Sequence, residues 1–248
     1  MQITEEYWKN YVKKLRNLSD TAANKMQKYM DIHGTEDRKA LIDYAYRLVN
    51  TYCNGSAELS AKMYDAIADL QGKILPAAEP EAPLSYGEVA KAVNGTLKTG
   101  NPENVSRTMG TLVKRAGADT TLKNALRDGA EFAWIPSGDT CAFCLTLASQ
   151  GWQRASKAAI KNGHAEHIHN NCDCTYAVRF NNNLSIKGYN PEEYREIYDN
   201  AEGNTSKDKI NAMRRMNYEK NREKIREQQK IAYEARKERD EGKPDTEN

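Results

Sequence analysis

Four of the five cysteines and three of the four histidines in this 248-residue chain fall between Cys141 and Cys174. Cys141 and Cys144 stand three apart, and His169-Asn170-Asn171-Cys172-Asp173-Cys174 closes the window. Thiols and imidazoles gathered in this way can hold a metal, form disulfides or carry out thiol exchange. Zinc takes about four such ligands in a tetrahedron, and a Cys-x-x-Cys turn supplies two of them. If Asp139 or Thr140 caps the helix that follows, both thiols lie near a helix N-terminus, where the dipole favours thiolate. Cys172 and Cys174, two apart, share one face of an extended segment, whereas His169 reaches that face only through a turn at Asn170-Asn171. The best quartet is Cys141, Cys144, His169 and Cys172, with Cys174 as a substitute or supporting partner. Zinc in a structural role is the favoured reading.

Two others compete with it. The first is a thiol cluster without metal, or disulfides formed after release into oxidising surroundings. The second is a thioredoxin-like redox pair, but the surrounding βαβ pattern is missing and Ala142-Phe143 is a bulky insert between the thiols. The residues Met1-Gln2-Ile3-Thr4-Glu5-Glu6 lack the basic-then-apolar order of a secretory signal, and no apolar run approaches the roughly 18 residues of a membrane span. A reducing cytoplasm is therefore expected, with no membrane partner. There a Cys/His cluster more often binds metal than forms disulfides. Cys53 reads as a small buried apolar residue, His33 as a helix C-terminal residue, and His164 and His167 as polar loop residues.

The elements that position the window are mostly helical. Hydrophobic residues make up 39% and charged residues 29% of the chain, and mean hydropathy is −0.87, as for extended helices that bury little. A net charge of +2 argues against a protein that coats nucleic acid with its whole surface. Tyr7, Trp8, Tyr11, Val12, Leu15, Leu18, Ala22, Met26 and Tyr29 recur at helical spacing. His33-Gly34 ends that helix, Thr35-Glu36-Asp37 starts a second, and Asn54-Gly55-Ser56 punctuates before a third, so 1–75 reads as a helical bundle. Three prolines within 76–83 force an extended path, and 76–84 reads as a linker and candidate hinge. Ser85-Tyr86-Gly87-Glu88 has capping-box spacing and Asn101-Pro102 opens another helix, making 85–130 a helical region. Strand periodicity at Glu131 to Ile135 and Thr175 to Phe180 flanks the cysteines, giving a small α+β Cys/His unit over 131–185. The remainder, 186–248, reads as a charged helical tail. Between Lys207 and Arg239 it carries twelve Lys/Arg against six Asp/Glu. The fold class is thus mostly α with one small α+β unit.

Across about a fifth of the chain, Phe132 to Phe180, the sequence resembles the Mu F-like group of phage minor capsid, or head morphogenesis, proteins. The matching elements are Trp134 on its strand, Asp139 before Cys141 and Cys144, Gly151 after the helix, and His169 with Cys172 and Cys174. Asn170 and Asp173 depart from the proline and arginine common at those places. The resemblance implies a virion component at the portal vertex or capsid interior, made in the host cytoplasm, acting in procapsid assembly and partnered by portal or major capsid protein. In that setting the basic tail could touch packaged DNA, and no enzymatic role is expected. Two other functions are weighed. Glu166-His167-Ile168-His169-Asn170-Asn171 is weakly similar to zinc-stabilised His-Asn-His nucleases, but no histidine follows His169 to complete the site. A cellular zinc-knuckle DNA-binding protein would need a base-reading helix, for which Arg154 and Lys157 are thin support.

Overall fold

A computed structural model describes residues 2–137, 140–159 and 174–241. Its framework is four helices: α1 (Glu5–His33), α2 (Arg38–Leu70), α3 (Tyr86–Lys98) and α4 (Asn104–Asp128). The sequence signals explain their ends. Thr4 caps α1 by accepting from the Tyr7 amide, and Gly34, with φ of 70°, closes it. Asp37 caps α2. Ser85 and Glu88 form the reciprocal capping box at the start of α3.

The third helix expected after Asn54-Gly55-Ser56 does not exist as a separate element, because α2 runs unbroken through those residues. They serve close packing instead of a turn. Gly55 faces Leu18 of α1, while Ser56 and Ser60 face Gly117 of α4. Gly110 of α4 lies against the backbone of Ser19 in α1. Small residues where helices cross let the backbones approach closely, at the cost of weaker local helix propensity.

Two apolar cores run along this framework. One joins the C-terminal half of α1 and the N-terminal half of α2 to α3 and the start of α4, through Met26, Leu41, Val49, Val93 and Met109. The other joins the start of α1, the end of α2 and the end of α4 to the sheet described below, through Trp8, Tyr64, Leu122 and Phe132. Hence α1 runs antiparallel to both α2 and α4, and helices on either side of 76–84 share one core.

Residues 76–84 are extended, as their prolines require, and are fastened to α2 and α4 along their length. Ala78 N donates to Asp65 Oδ1 at 2.8 Å, and Glu79 exchanges two hydrogen bonds of 2.9 Å with the Asn124 side chain. Glu81 N donates to Thr120 Oγ1, and the Arg127 guanidinium donates to the carbonyls of Pro76 and Ala77. The segment is a strap that returns the chain from one end of the bundle to the other.

Beyond α4, β2 (Glu131–Ile135) forms the centre of an antiparallel sheet, between β3 (Gln153–Arg154) and β4 (Thr175–Arg179). The register pairs Glu131 with Arg179 and Ile135 with Thr175. A short helix, α5 (Ala142–Ala148), lies between β2 and β3. The strand β5 (Ser185–Ile186) pairs in parallel with β1 (Gln2–Ile3), which ties the first described residues to the far end of this unit. Two further helices follow, α6 (Pro191–Asp199) and α7 (Ser206–Glu241). At about 1.5 Å per residue α7 is roughly 54 Å long, and its first turns reach the fold, where Ala212 and Met213 pack with Ala142 and Leu145 of α5. The fold class read from the sequence, mostly α with a small α+β unit, is the observed one.

Candidate cysteine centre

β2 delivers the chain to Cys141. Its last residue, Ile135, sits opposite Thr175, so Cys174, the residue before β4, lies at the same sheet end from which the chain leaves for Cys141. Topology thus brings both halves of the cysteine window to one edge. Cys141 itself occupies the N-cap of α5, a place the sequence suggests for Asp139 or Thr140. Its Sγ accepts from the Cys144 amide at 3.4 Å, and its carbonyl accepts from Leu145 at 2.9 Å. An N-cap thiol receives a backbone N–H that would otherwise lack a partner, which favours a sulfur carrying negative charge.

Cys144 lies one turn along and is 2% exposed, packed in the core with Leu147 and Ala148, whereas Cys141 and Cys174 are half-buried against the same core. The pair therefore has one thiol at the surface of the unit and one inside it. Among the described residues no three His, Cys, Asp or Glu side chains converge to hold a metal. Cys141, Cys144 and Cys174 do not form such a trio by themselves. The other two residues of the expected quartet, His169 and Cys172, lie outside the described residues, as do His164, His167 and Asp139.

The surroundings explain the other residues in the motif. Trp134 is 4% exposed and meets Tyr176 edge to face, with ring centroids 4.5 Å apart, so it anchors β2 to β4 behind the cysteines. Gly151 follows α5 with φ of 66°, a conformation that L side chains rarely adopt, and its N–H donates to Ala148 O. A side chain there would also meet Pro191, the first residue of α6, at 3.5 Å. That is ordinary contact, so it is the backbone conformation that calls for glycine at 151, where the chain turns out of α5.

Several supporting residues carry no local motif and escape sequence reasoning. Arg179 lies over the Trp152 ring at 4.7 Å and pairs with Glu131 across the sheet. Tyr189 donates to Ala148 O at the end of α5, and burial holds its phenol well above the usual range. Tyr194 of α6 is also raised, by burial first and then by Glu193 and Cys174. These rings close the side of the centre that faces α6 and α7.

Cys53 lies apart from this centre, buried in the bundle at 3% exposure, where burial pushes its thiol up to about 12. This is the inert apolar residue expected from the sequence.

No curated protein and no solved structure matches the chain. A family model described as VG15 protein matches residues 2–201, a span that takes in the bundle, the strap, the sheet and the cysteine centre and stops short of α7. By that match over most of its length, the chain belongs to the VG15 protein family and is a phage protein.

Proposed function

We propose that this chain is a minor capsid, or head morphogenesis, protein that acts without enzymatic activity during procapsid assembly, at the portal vertex or capsid interior. The observation that carries the reading is that the Mu F-like elements in the described residues belong to one small unit. Trp134 anchors the sheet, Cys141 and Cys144 open α5, and Gly151 releases the chain against α6. Phage membership supplies the setting.

The chemistry of the donors fits a structural zinc ion. Cys141 and Cys144 would supply two thiolates, and His169 and Cys172 the remaining ligands, with Cys174 beside them as substitute or support. Zinc there would crosslink the start of α5 to the segment that leads into β4, a staple for a unit whose sheet is small. The partners proposed are portal or major capsid protein. Packaged DNA is a further partner for α7, whose surplus of Lys/Arg over 207–239 would make the contact backbone-directed and salt-sensitive.

Mass spectrometry of purified virions and procapsids, with a deletion of the gene alongside, tests the reading. The protein is expected at low copy number in both particles, and its loss should stop or misdirect head formation. Normal heads assembled without it, and its absence from particles, would overturn the proposal.

A further inference from the structure

Between the first half of α1 and the turn after β5 lies an open cleft of about 630 Å³. Its floor is apolar, built from Trp8, Val12, Ile135 and Ile186, each 8% exposed or less. Its rim is cationic. Lys9, Lys13 and Arg16 line it from successive turns of α1, at i, i+4 and i+7, and Lys187 lines it from the opposite wall. Glu5 is the one carboxylate in the lining, paired with Lys9 and close to the 187–188 turn.

We propose that this cleft binds an acidic peptide segment of a partner protein. Two observations favour that occupant. Lys13 and Lys187, exposed on facing walls, ask for carboxylates and can engage both sides of one chain. A nucleic-acid strand is the poorer fit, because of the two aromatics in the lining Trp8 is only 5% exposed and Tyr189 is partly buried, with its hydroxyl donating to Ala148 O. The cleft is formed by α1, the end of β2 with Pro136 and Ser137, and the turn after β5, and no cysteine lines it.

The test is selection of random twelve-residue peptides against the full chain, followed by anisotropy titration of the enriched peptides labelled with fluorescein. Enriched peptides should carry an excess of Asp and Glu around one or two apolar residues, and their affinity should fall as salt rises. Lys13→Glu with Lys187→Glu, both exposed positions, should weaken binding at least tenfold while leaving the thermal transition in place. If that pair disturbs folding, Lys13→Gln with Lys187→Gln gives the same readout with a smaller loss. No enriched peptide, a pool without acidic bias, or unchanged affinity after neutralisation would overturn the proposal. So would an oligonucleotide that displaces the peptides and binds more tightly than they do, which would make the cleft a nucleic-acid site.

Discussion

Gly117→Ala tests whether α2 and α4 are held at their separation by the absence of one side chain. A β-carbon at Gly117 would stand 2.7 Å from both Ser56 Oγ and Ser60 Oγ, and 3.4 Å from the Ser56 carbonyl oxygen. Neither hydroxyl has an easy retreat. Ser60 shares a 3.0 Å hydrogen bond with the Tyr11 hydroxyl, and Ser56 is fully buried. Adding a methyl group to a packed interface costs about 1–3 kcal/mol, against about 1 kcal/mol gained from replacing glycine by alanine within a helix. The net expectation is a loss of up to about 2 kcal/mol, or up to roughly 8 °C in the unfolding midpoint for a chain of this size. Ser56→Ala removes one clashing oxygen, and it also removes a buried hydroxyl without a hydrogen-bond partner among the described residues. Alone it should be neutral or slightly stabilising. Combined with Gly117→Ala it should recover part of the loss, with a coupling energy of about 0.5–1 kcal/mol. Thermal and urea denaturation of the four proteins measure the cycle. A higher midpoint for Gly117→Ala, or strict additivity, would show that helix propensity outweighs packing here and that the crossing is not set by these small residues.

Three more outcomes follow from the fold and the proposed site. Asn124→Ala removes the two hydrogen bonds to Glu79 and a third to Thr120 O, so stability should drop by about 1–3 kcal/mol and protease should cut within 76–84 faster; an unchanged cleavage rate would show that the strap does not need them. Tyr11 is pushed up to about 12 mainly by burial, and its pKa in the folded state exceeds that in the unfolded state. Its contribution is therefore full below pH about 10 and is lost as pH rises toward 12, about 2–3 kcal/mol in all; Tyr11→Phe should flatten that part of the stability profile, and an identical alkaline slope would refute the assignment. Finally, if zinc is bound as proposed, denaturing the protein with a colorimetric chelator present should release about one equivalent, and Cys144→Ser should release far less while exposing 132–180 to protease before the bundle. Metal-free wild-type protein would end the zinc proposal and leave the fold account intact.

The helices and strands were legible because their signals are local. The caps at Asp37 and Ser85, the stop at Gly34, and the short strand-forming runs at 131–135 and 175–179, buried on consecutive residues, each act over a few residues. The misreading at Asn54-Gly55-Ser56 has the opposite cause. Glycine and serine mark a turn when judged by propensity and a close contact when judged by packing, and only the partner, Gly117, distinguishes the two. The prolines of 76–83 showed an extended path but not its anchors, since Asn124 and Thr120 lie some forty residues away in sequence. In the cysteine centre the spacing identified Cys141 and Cys144 as a pair at a helix start. That Cys141 is itself the cap depends on the path taken after Pro136, which spacing does not encode. The β1–β5 pair, two residues on each strand, is too short to leave any periodic signal.

These connections make α5 the element through which the parts of the molecule bear on one another. One of its faces, with Cys144, Leu147 and Ala148, belongs to the core shared by the sheet and the ends of α1, α2 and α4. Its other face, with Ala142 and Leu145, receives Ala212 and Met213 from the first turns of α7. The start of a helix about 54 Å long is therefore held jointly by a seven-residue helix whose first turn is framed by two cysteines and by α6, whose Tyr198 bonds Ser206 and whose last carbonyls accept from Lys209. A helix as short as α5 has little stability of its own and takes its position from what surrounds it. A metal held by Cys141 and Cys144 would fix the end of α5 that the apolar contacts leave least constrained, since Cys141 is only half-buried. Under the zinc proposal, the cysteine centre would steady the mounting of α7, which presents Tyr218, Ile231 and Tyr233 to its surroundings.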